Sequence, residues 1–331
     1  MQIYAEIGYL AFLMEKALKI KAAELPEAEE LSPGRVAEAL RGGEADLVCV
    51  LGPTASGKTA YAVRLARSLS EICGCGAEII SGDSRQVYRG MDIGTGKDLA
   101  EYGEVPYHLI DIMPAGSRYT IFDYQRDFDK AFTDIRSRGA VPILCGGSGL
   151  YMEAAASGYN LPVMPADPEL RSSLESLSAD ELRSRLLAID PSAPKATLEN
   201  PRRIVRALEV AAYKGENPVP NSQYPPRKTF YIATLVSREE RIRRIDARLD
   251  ARLDEGLVEE VRGLLDSGIK PEDLMYYGLE YKFVTMHVTG LLDYEQMRTL
   301  LRNAIHQFAK RQMTWLRGME RRGIRIHWVR P

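Results

Sequence analysis

Short apolar runs alternate with stretches of helical period between residues 46 and 160. The runs Leu47–Leu51 and Val141–Cys145 are almost free of polar side chains, which indicates buried strands. We predict strands at 47–51, 77–81, 108–112 and 141–145, and helices at 60–70 and 121–138. Because strands and helices alternate, this region is predicted to be α/β, with a parallel sheet flanked by helices.

The pattern changes on both sides of this region. Residues 161–226 are polar and helical, open with several prolines and end in a Pro-rich loop, after which a strand-like segment returns to the sheet. We predict four units: a helical N-terminal extension of unknown role at 1–45, with helices at 5–21 and 36–40, an α/β core at 46–160, an inserted helical subdomain at 161–226, and a return strand with C-terminal helices at 227–331.

A glycine-rich loop connects the strand at 47–51 to the helix that follows it. This order of strand, GxxxxGK[ST] loop and helix is the phosphate-binding P-loop, in which backbone N–H groups and the helix N-terminus face anionic oxygens. Lys58 is predicted to reach the outer phosphates, and the Thr59 hydroxyl to bind Mg²⁺. The predicted diphosphate-binding residues are Gly52, Pro53, Thr54, Ala55, Ser56, Gly57, Lys58 and Thr59. The fold class is therefore P-loop NTPase-like.

Composition excludes several classes of protein. The 331 residues have ordinary apolar and charged fractions, and the four cysteines lack CxxC spacing, so we expect a reducing, cytoplasmic setting without membrane spans. The net charge is only −2 but is unevenly spread, with ten Lys and Arg against three acids from Lys282 onward. Such a basic region indicates a nucleic-acid partner.

Two further polar segments follow predicted strands. Asp83 opens the segment DSRQVYRGMDIGTGK, and a second glycine-rich exit lies at Gly146–Tyr151. The carboxyl ends of parallel strands are where this fold places working residues. The alternatives are that Asp83 or Ser84 caps a helix and that the glycines only relieve packing.

Basic residues also recur at helical spacing. Arg202, Arg203 and Arg206 share one face of a predicted helix, and such a group suits contact with a phosphate backbone or is simply solvated. Near the C-terminus, Arg302 begins a basic stripe that runs toward Trp315. Trp315 is interpreted first as a core anchor and second as an RNA contact.

Taken jointly, these segments resemble one family, the tRNA dimethylallyltransferases. The resemblance is carried by GPTASGKT at 52–59, DSRQVYRGMDIGTGK at 83–97, YHLID at 107–111, GGSGLY at 146–151, NPRRIVRALEV at 200–210 and KRQMTWLRG at 310–318. It implies transfer of a dimethylallyl group from dimethylallyl diphosphate to the exocyclic amine of the adenosine just 3′ of the tRNA anticodon, with release of pyrophosphate.

The resemblance also implies roles for residues. Asp83 is the expected base that takes the proton of the amine, with Lys58 and Thr59 as its catalytic partners at the diphosphate and Mg²⁺ as the cofactor. The residues expected to face tRNA are Asp83, Ser84, Arg85, Gln86, Ser148, Arg171, Arg202, Arg203, Arg206 and Arg302. The expected partners are the anticodon stem and loop and dimethylallyl diphosphate, no membrane is involved, and we expect a monomer.

Two positions depart from the family pattern. Ser148 stands where threonine is more usual, which keeps the hydroxyl. Met275 stands where some members have an arginine that could face the pyrophosphate. Lys97, Lys282 or Arg317 could supply this cation, or Mg²⁺ alone could suffice.

Other functions explain less of the sequence. A P-loop kinase for a nucleotide or metabolite would use the loop and sheet but leave the insertion and the basic C-terminal region without a role. An RNA-binding module with a vestigial loop does not explain why Lys58 and Thr59 are both intact. An enzyme that alkylates free adenine nucleotides would not need the inserted subdomain.

Overall fold

One parallel sheet positions the predicted motifs. The structure is a computed structural model and describes residues 25–159, 167–216 and 224–331, with backbone only at 196 and 214–216. Over those residues the sheet has the order β4-β2-β6-β1-β7-β8. Its strands are β1 (Leu47–Leu51), β2 (Ala77–Ser81), β4 (Tyr107–His108), β6 (Val141–Gly146), β7 (Thr229–Thr234) and β8 (Ile326–Val329), and a small second sheet pairs β3 (Tyr88–Arg89) with β5 (Met113–Pro114).

Helices cover both faces of the sheet and also occupy residues 168–216 of the predicted insertion. They are α1 (Pro33–Arg41), α2 (Lys58–Cys73), α3 (Ile121–Ser137), α4 (Gly149–Ser157), α5 (Pro168–Glu175), α6 (Ala179–Ile189), α7 (Lys195–Leu198), α8 (Pro201–Glu216), α9 (Arg238–Asp254), α10 (Leu257–Asp266), α11 (Pro271–Leu274), α12 (Leu279–Val288) and α13 (Tyr294–Arg321), with a short 3₁₀ helix at Leu99–Glu101. The α/β fold class and the parallel sheet predicted from the sequence are confirmed.

Alternate residues of β1 face two different hydrophobic clusters. Cys49 and Leu51 belong to a cluster with α3, α4 and the C-terminal helices, whereas Val48 and Val50 belong to a cluster with α1 and α2. Since all five residues of β1 are buried, the strand lies in the middle of three layers. This position explains why its sequence is an uninterrupted apolar run.

Strand register brings the predicted motifs to one edge of the sheet. Leu51 at the end of β1 pairs with Gly146 of β6 on one side and with Ala233 of β7 on the other. Ser81 at the end of β2 pairs with Cys145. The loops that follow β1, β2 and β6 therefore start level with one another, at the carboxyl edge where α/β folds bind ligands.

The helices α5 to α8 form a hydrophobic cluster of their own. Ile204, Val205 and Leu208 of α8 pack with Leu182 and Leu186 of α6 and are almost completely buried. The three arginines at 202, 203 and 206 lie on the exposed face of α8, as the helical spacing predicted. The division of the chain into four units stays a prediction, and its segments 161–166 and 217–223 lie outside the described residues.

The structure describes only part of the predicted N-terminal extension at 1–45. The predicted helix at 5–21 lies outside the described residues, whereas the predicted helix at 36–40 is present as α1. The side chains of Val36, Ala37 and Ala39 are fully buried against the sheet's second cluster. Residues 33–41 are therefore an integral part of the core packing.

Two strand predictions differ from the structure. The strand expected at 108–112 ends at His108, because Leu109 and Asp111 adopt positive φ angles of 63° and 56° that break extended pairing. The sequence interpretation also missed β8, which lies after the long helix α13. This edge strand pairs with β7 in parallel, and its His327 Nδ1 lies 2.6 Å from Glu29 Oε1.

We predict that the insertion can be loosened without loosening the sheet. Ile204→Ala removes a fully buried side chain and should destabilise α5–α8 by about 2–5 kcal/mol. Hydrogen exchange measured by mass spectrometry should then rise in α6 and α8 but not in β1 or β6, and exposed Arg185→Ala is the control. An equal rise in β1 and β6 would show that the helices and the sheet unfold as one unit.

Candidate active site

A cavity of about 550 Å³ opens at the carboxyl edge of the sheet. Its walls are formed by the loop after β1, residues 83–86, residues 94–96 with Asp98, the loop after β6, residues 277–280, and side chains of α9 and α13. Motifs that are far apart in the sequence thus line a single space. The cavity has the size and position typical of ligand sites in α/β proteins.

The phosphate loop has the backbone shape needed to turn N–H groups inward. Ala55 and Gly57 have φ angles of 61° and 77°, and α2 begins directly afterwards at Lys58. A left-handed angle at a residue with a side chain costs energy and often marks a functional loop. The N-terminus of α2 therefore points its unpaired N–H groups and its partial positive charge at the cavity.

The structure separates the eight predicted loop residues into two groups. Thr54, Ala55, Gly57, Lys58 and Thr59 line the cavity, whereas Gly52, Pro53 and Ser56 are buried behind it. The hydroxyl of Ser56 lies 2.6 Å from Thr234 Oγ1 at the end of β7, so this side chain anchors the loop to the sheet. A Cβ atom at Gly52 would lie 2.3 Å from Thr234 Oγ1, which requires glycine there.

Gln312 of α13 joins two loops of the cavity. Its Oε1 accepts a hydrogen bond of 2.8 Å from Thr54 N, and its Nε2 donates one of 2.9 Å to Gly147 O. The Thr54 hydroxyl accepts from the Arg248 guanidinium. Thr54 is thus held by protein groups on both sides, and its N–H is already used. The sequence placed Gln312 in a matching segment but gave it no role.

Lys58 and Thr59 lie where the sequence predicted them. Burial lowers the pKa of the Lys58 amine, Arg248 lowers it further, and Asp83 acts in the opposite direction. Burial also raises the pKa of the neighbouring Cys145 thiol to about 12, which keeps this cysteine protonated.

The residues present fit a magnesium ion only together with a phosphate ligand. Thr59 offers one hydroxyl at the cavity wall, and the described residues contain no cluster of three or more His, Cys, Asp or Glu that could hold a metal. Mg²⁺ in phosphate-transfer sites usually has one or two protein ligands and takes the rest from phosphates and water.

Asp83 lies in a turn and also lines the cavity, and no helix begins within residues 82–98, so the expected helix cap by Asp83 or Ser84 is not formed. Its Oδ1 accepts a 2.9 Å hydrogen bond from Arg85 N, a turn-capping contact, and the same carboxylate lines the cavity. Gln86 is fixed as well, since its Oε1 accepts from Ser81 Oγ at 2.9 Å and its Nε2 donates to Gly96 O at 3.1 Å. The turn therefore orients Asp83 without removing it from the cavity.

The glycines after β6 permit close approach of other chain segments. A Cβ atom at Gly147 would lie 2.5 Å from Gln312 Nε2 and 2.8 Å from Gly52 O, and one at Gly149 would lie 2.5 Å from the Trp315 ring. Ser148 lines the cavity and makes no side-chain cap to α4. Trp315 packs against the core, as the first interpretation expected, and it also lines the cavity.

Three arginines that line the cavity were not among the predicted site residues, although Arg311 belongs to the basic stripe that begins at Arg302. Arg248 and Arg252 are one turn apart on α9, and Arg311 lies beside Gln312 on α13. Burial and the neighbouring Arg252 lower the pKa of the Arg248 guanidinium to about 10, which leaves it charged near neutral pH. The Arg-x-x-x-Arg spacing in a predicted helix was the signal available in the sequence.

The cations that were expected to replace an arginine at Met275 lie elsewhere. Lys97, Lys282 and Arg317 do not line the cavity, and neither does Met275, which packs against the main core. The buried Lys97 amine donates to Tyr88 O and to Asp92 Oδ1 at 2.8 Å, and it also pairs with Asp111. Lys97 therefore ties together the loops around β3 and has a structural role.

A single carboxylate holds the neighbouring loop in place. Glu260 accepts hydrogen bonds of 2.7, 2.8 and 3.0 Å from the N–H groups of Asp92, Ile93 and Gly94. Tyr281 donates a further bond of 2.6 Å to Glu260 Oε1. This network fixes the residues 94–96 that form one wall of the cavity.

The remaining residues expected to face tRNA lie outside the cavity. These are Arg171 on α5, Arg202, Arg203 and Arg206 on α8, and Arg302 on α13. Arg171 Nε and Arg206 Nη1 lie 2.7 and 3.2 Å from the carboxylate of Glu209, which organises them on one exposed surface.

Across the described residues, no helix is long and apolar enough to cross a bilayer.

The fold is that of a P-loop protein, with the phosphate loop and the carboxylate of Asp83 at one cavity. The profile of the family described as IPP transferase matches residues 86–319. The chain is 54% identical over 287 residues to the tRNA dimethylallyltransferase 2 of Porphyromonas gingivalis, which covers 86% of this chain and 93% of the relative. The chain belongs to the IPP transferase family.

Other relatives agree with this assignment. The tRNA dimethylallyltransferase 1 of Parabacteroides distasonis is 49% identical over 288 residues, 86% of this chain and 92% of the relative. The crystal structure of the full-length tRNA isopentenylpyrophosphate transferase from Bacillus halodurans has 35% identity and a TM-score of 0.63, and the match covers 86% of this chain and 90% of that chain. The family resemblance inferred from the motifs is thereby confirmed.

Substitutions of Gln312 should separate its structural and electrostatic effects. Gln312→Met removes both part-buried hydrogen bonds and should lower the free energy of unfolding by about 0.5–1.5 kcal/mol per lost bond. Gln312→Glu keeps the acceptor for Thr54 N but adds a negative charge, so it should bind pyrophosphate more weakly than Gln312→Met does.

Calorimetric titration of pyrophosphate and thermal melting are the measurements. Gln307→Met, on the same helix, is the control. If both Gln312 variants match the wild type in melting and affinity, Gln312 does not support the phosphate loop.

Proposed function

We propose that the protein transfers a dimethylallyl group from dimethylallyl diphosphate to the exocyclic amine of the adenosine 3′-adjacent to the anticodon in tRNA. The observation that carries the proposal is a single cavity lined by both the phosphate loop and the segment 83–86. A diphosphate on the loop and an adenine at Asp83 could therefore meet inside it. The names of the relatives supply the identity of these two substrates.

The reaction breaks the bond between the allylic carbon and a diphosphate oxygen. Negative charge grows on the leaving pyrophosphate, and cationic or N–H groups aimed at that charge lower the barrier. Lys58, Arg248 and the N-terminus of α2 line the part of the cavity that would receive it. These groups bind the substrate and stabilise the leaving group at the same time.

The acceptor nitrogen of adenine is a weak nucleophile, because its lone pair is delocalised into the ring. As the new carbon–nitrogen bond forms, the amine must lose a proton, and a positioned base typically contributes about 10²–10⁴-fold to the rate. Asp83 is the carboxylate we assign to this step, since it lines the cavity and is oriented by Arg85 N. Ser84, Gln86 and Ser148 would then surround the target nucleotide.

We propose that Mg²⁺ accompanies the diphosphate, with the Thr59 hydroxyl as its protein ligand. When bound, the ion would neutralise charge on the diphosphate oxygens. This arrangement agrees with the donor set at the cavity wall, where phosphate oxygens and water would complete the coordination.

We propose that the insertion binds the anticodon stem and loop. The exposed arginines of α5 and α8, together with Arg302 of α13, would contact backbone phosphates outside the cavity. The target base lies in a loop, so turning it into the cavity would cost little unstacking energy. In this arrangement the cavity holds the reacting groups, and the insertion contributes to the affinity for tRNA.

The kinase alternative is less favoured. A kinase would use the phosphate loop but gives no role to the basic face of α8, and the family to which the chain belongs is that of IPP transferases. An assay can separate the two functions. Full-length protein incubated with unmodified tRNA and dimethylallyl diphosphate should add one dimethylallyl group to that adenosine, as seen by mass spectrometry of digested tRNA.

The matched variant for this assay is Lys58→Ala. It should abolish transfer while leaving tRNA affinity nearly unchanged, because the Lys58 charge faces the phosphate ligand. Formation of ADP from ATP with a small acceptor, without any change in tRNA mass, would favour the kinase instead.

Asp83→Asn should preserve shape and binding but remove the base. We expect the single-turnover rate of tRNA alkylation to fall by at least about 10²-fold, with dissociation constants for tRNA and diphosphate near those of the wild type. Asp98→Asn, at another acidic position on the cavity wall, is the control. An unchanged rate for Asp83→Asn would assign the proton transfer to another group.

Replacing Arg202, Arg203 and Arg206 together by alanine should weaken tRNA binding and flatten its dependence on salt. The slope of log affinity against log salt should drop by roughly one unit per lost phosphate contact. Filter binding over a salt series is the measurement, with Arg64→Ala on α2 as the control. Equal slopes for variant and wild type would mean that this face is only solvated.

A further inference from the structure

Arg252 is a buried cation whose role the proposed reaction has not used. Its side chain is 9% exposed, lines the cavity and lies one helical turn beyond Arg248 on α9. Arginine is rarely buried to this extent without a partner. The guanidinium must therefore have a counter-ion, either in the protein or in the ligand.

Among the described residues, the Arg252 guanidinium has a carboxylate nearby but not within hydrogen-bond distance. Arg252 Nη1 lies 3.6 Å from Glu280 Oε1, which is within range of an ion pair but too long for a hydrogen bond. Glu280 lines the same cavity, at the start of α12. The guanidinium thus has a carboxylate nearby and retains donors that can face a ligand.

The loop at Gly96 packs directly against the Arg252 side chain. Gly96 has a φ angle of 63°, and a Cβ atom there would lie 1.6 Å from Arg252 Nη2. The loop that carries Gly96 is held by the three N–H bonds to Glu260. Arg252 is therefore kept in one position by a fixed loop on one side and Glu280 on the other.

Two guanidinium groups in one buried space favour an anion between them. Five cationic side chains line the cavity, namely Lys58, Arg85, Arg248, Arg252 and Arg311, against four carboxylates, Asp83, Asp98, Glu101 and Glu280. Burial lowers the pKa of the Arg248 guanidinium, and the neighbouring positive charge of Arg252 lowers it further, as expected for like charges one helical turn apart. A diphosphate with several negative charges would relieve this repulsion.

We propose that Arg252, positioned by Glu280, is a second guanidinium that binds the diphosphate group in the cavity. This inference rests on the proposed function for the identity of the substrate, but not for the presence of a diphosphate site. Arg252 would form charge-assisted hydrogen bonds to the pyrophosphate as it leaves, on the side away from Lys58 and the loop. Arg252 would thus supply the positive charge that some family members obtain from an arginine at the position of Met275.

The test is calorimetric titration of inorganic pyrophosphate into the full-length protein at saturating Mg²⁺. The double variant Arg252→Met with Glu280→Gln removes one positive and one negative charge, so it leaves no buried unpaired carboxylate. We expect its affinity for pyrophosphate to fall by about 10- to 100-fold, the range for lost hydrogen bonds to a charged group. An affinity within about 2-fold of the wild type overturns the proposal.

A matched control removes an equivalent ion pair from the same helix. Asp250→Asn with Arg298→Met breaks a 2.8 Å pair between α9 and α13 that does not line the cavity. Its pyrophosphate affinity should equal that of the wild type, and an equal loss in both double variants would overturn a specific role for Arg252.

A third variant covers the case in which the first one fails to fold, as judged by thermal melting. Arg252→Lys keeps the charge but not the planar pair of donors, and it should weaken pyrophosphate binding several-fold. Wild-type affinity in this variant would overturn the proposal. The titration of pyrophosphate needs no tRNA, so its outcome is independent of the alkylation assay. If the protein failed to alkylate tRNA, the proposed function would be refuted, but a role of Arg252 in pyrophosphate binding would still stand.

Discussion

The two hydrogen bonds of Gln312 are the constraint on which the site depends. They link α13 to the phosphate loop and to the loop after β6, although Gln312 and Thr54 are 258 positions apart in the sequence. Loss of these part-buried bonds would cost about 0.5–1.5 kcal/mol each. Docking of α13 on the sheet therefore stabilises the arrangement of the two loops that line the site.

Electrostatics explains what this fixed cavity is prepared to bind. Positive groups come from the loop, from α9 and from the N-terminus of α2, while Asp83 stands in the same space on a separate turn. The cations suit a diphosphate and its leaving charge, and the carboxylate suits a proton acceptor. Holding these opposite charges apart on different strand ends is what the parallel sheet contributes.

The sequence predicted the elements whose signals are local. The apolar run of β1, the loop residues Lys58 and Thr59, and the two-sided pattern of α8 depend only on neighbouring positions. Packing decided the rest. Arg248 and Gln312 reach the cavity because helices distant in sequence dock there, Ser56 turns away to bond Thr234, and the positive φ of Leu109 ends a strand that its apolar pattern favours.

The central claim is that one cavity holds the diphosphate and the target adenine at the same time. A crystal structure of the full-length protein with a tRNA anticodon stem-loop and a thiolo analogue of dimethylallyl diphosphate, in which sulfur replaces the bridging oxygen, tests it most directly. The account predicts the diphosphate on Lys58 and the exocyclic amine within hydrogen-bond distance of the Asp83 carboxylate. An adenine bound outside the cavity, or a diphosphate away from the loop, would contradict it.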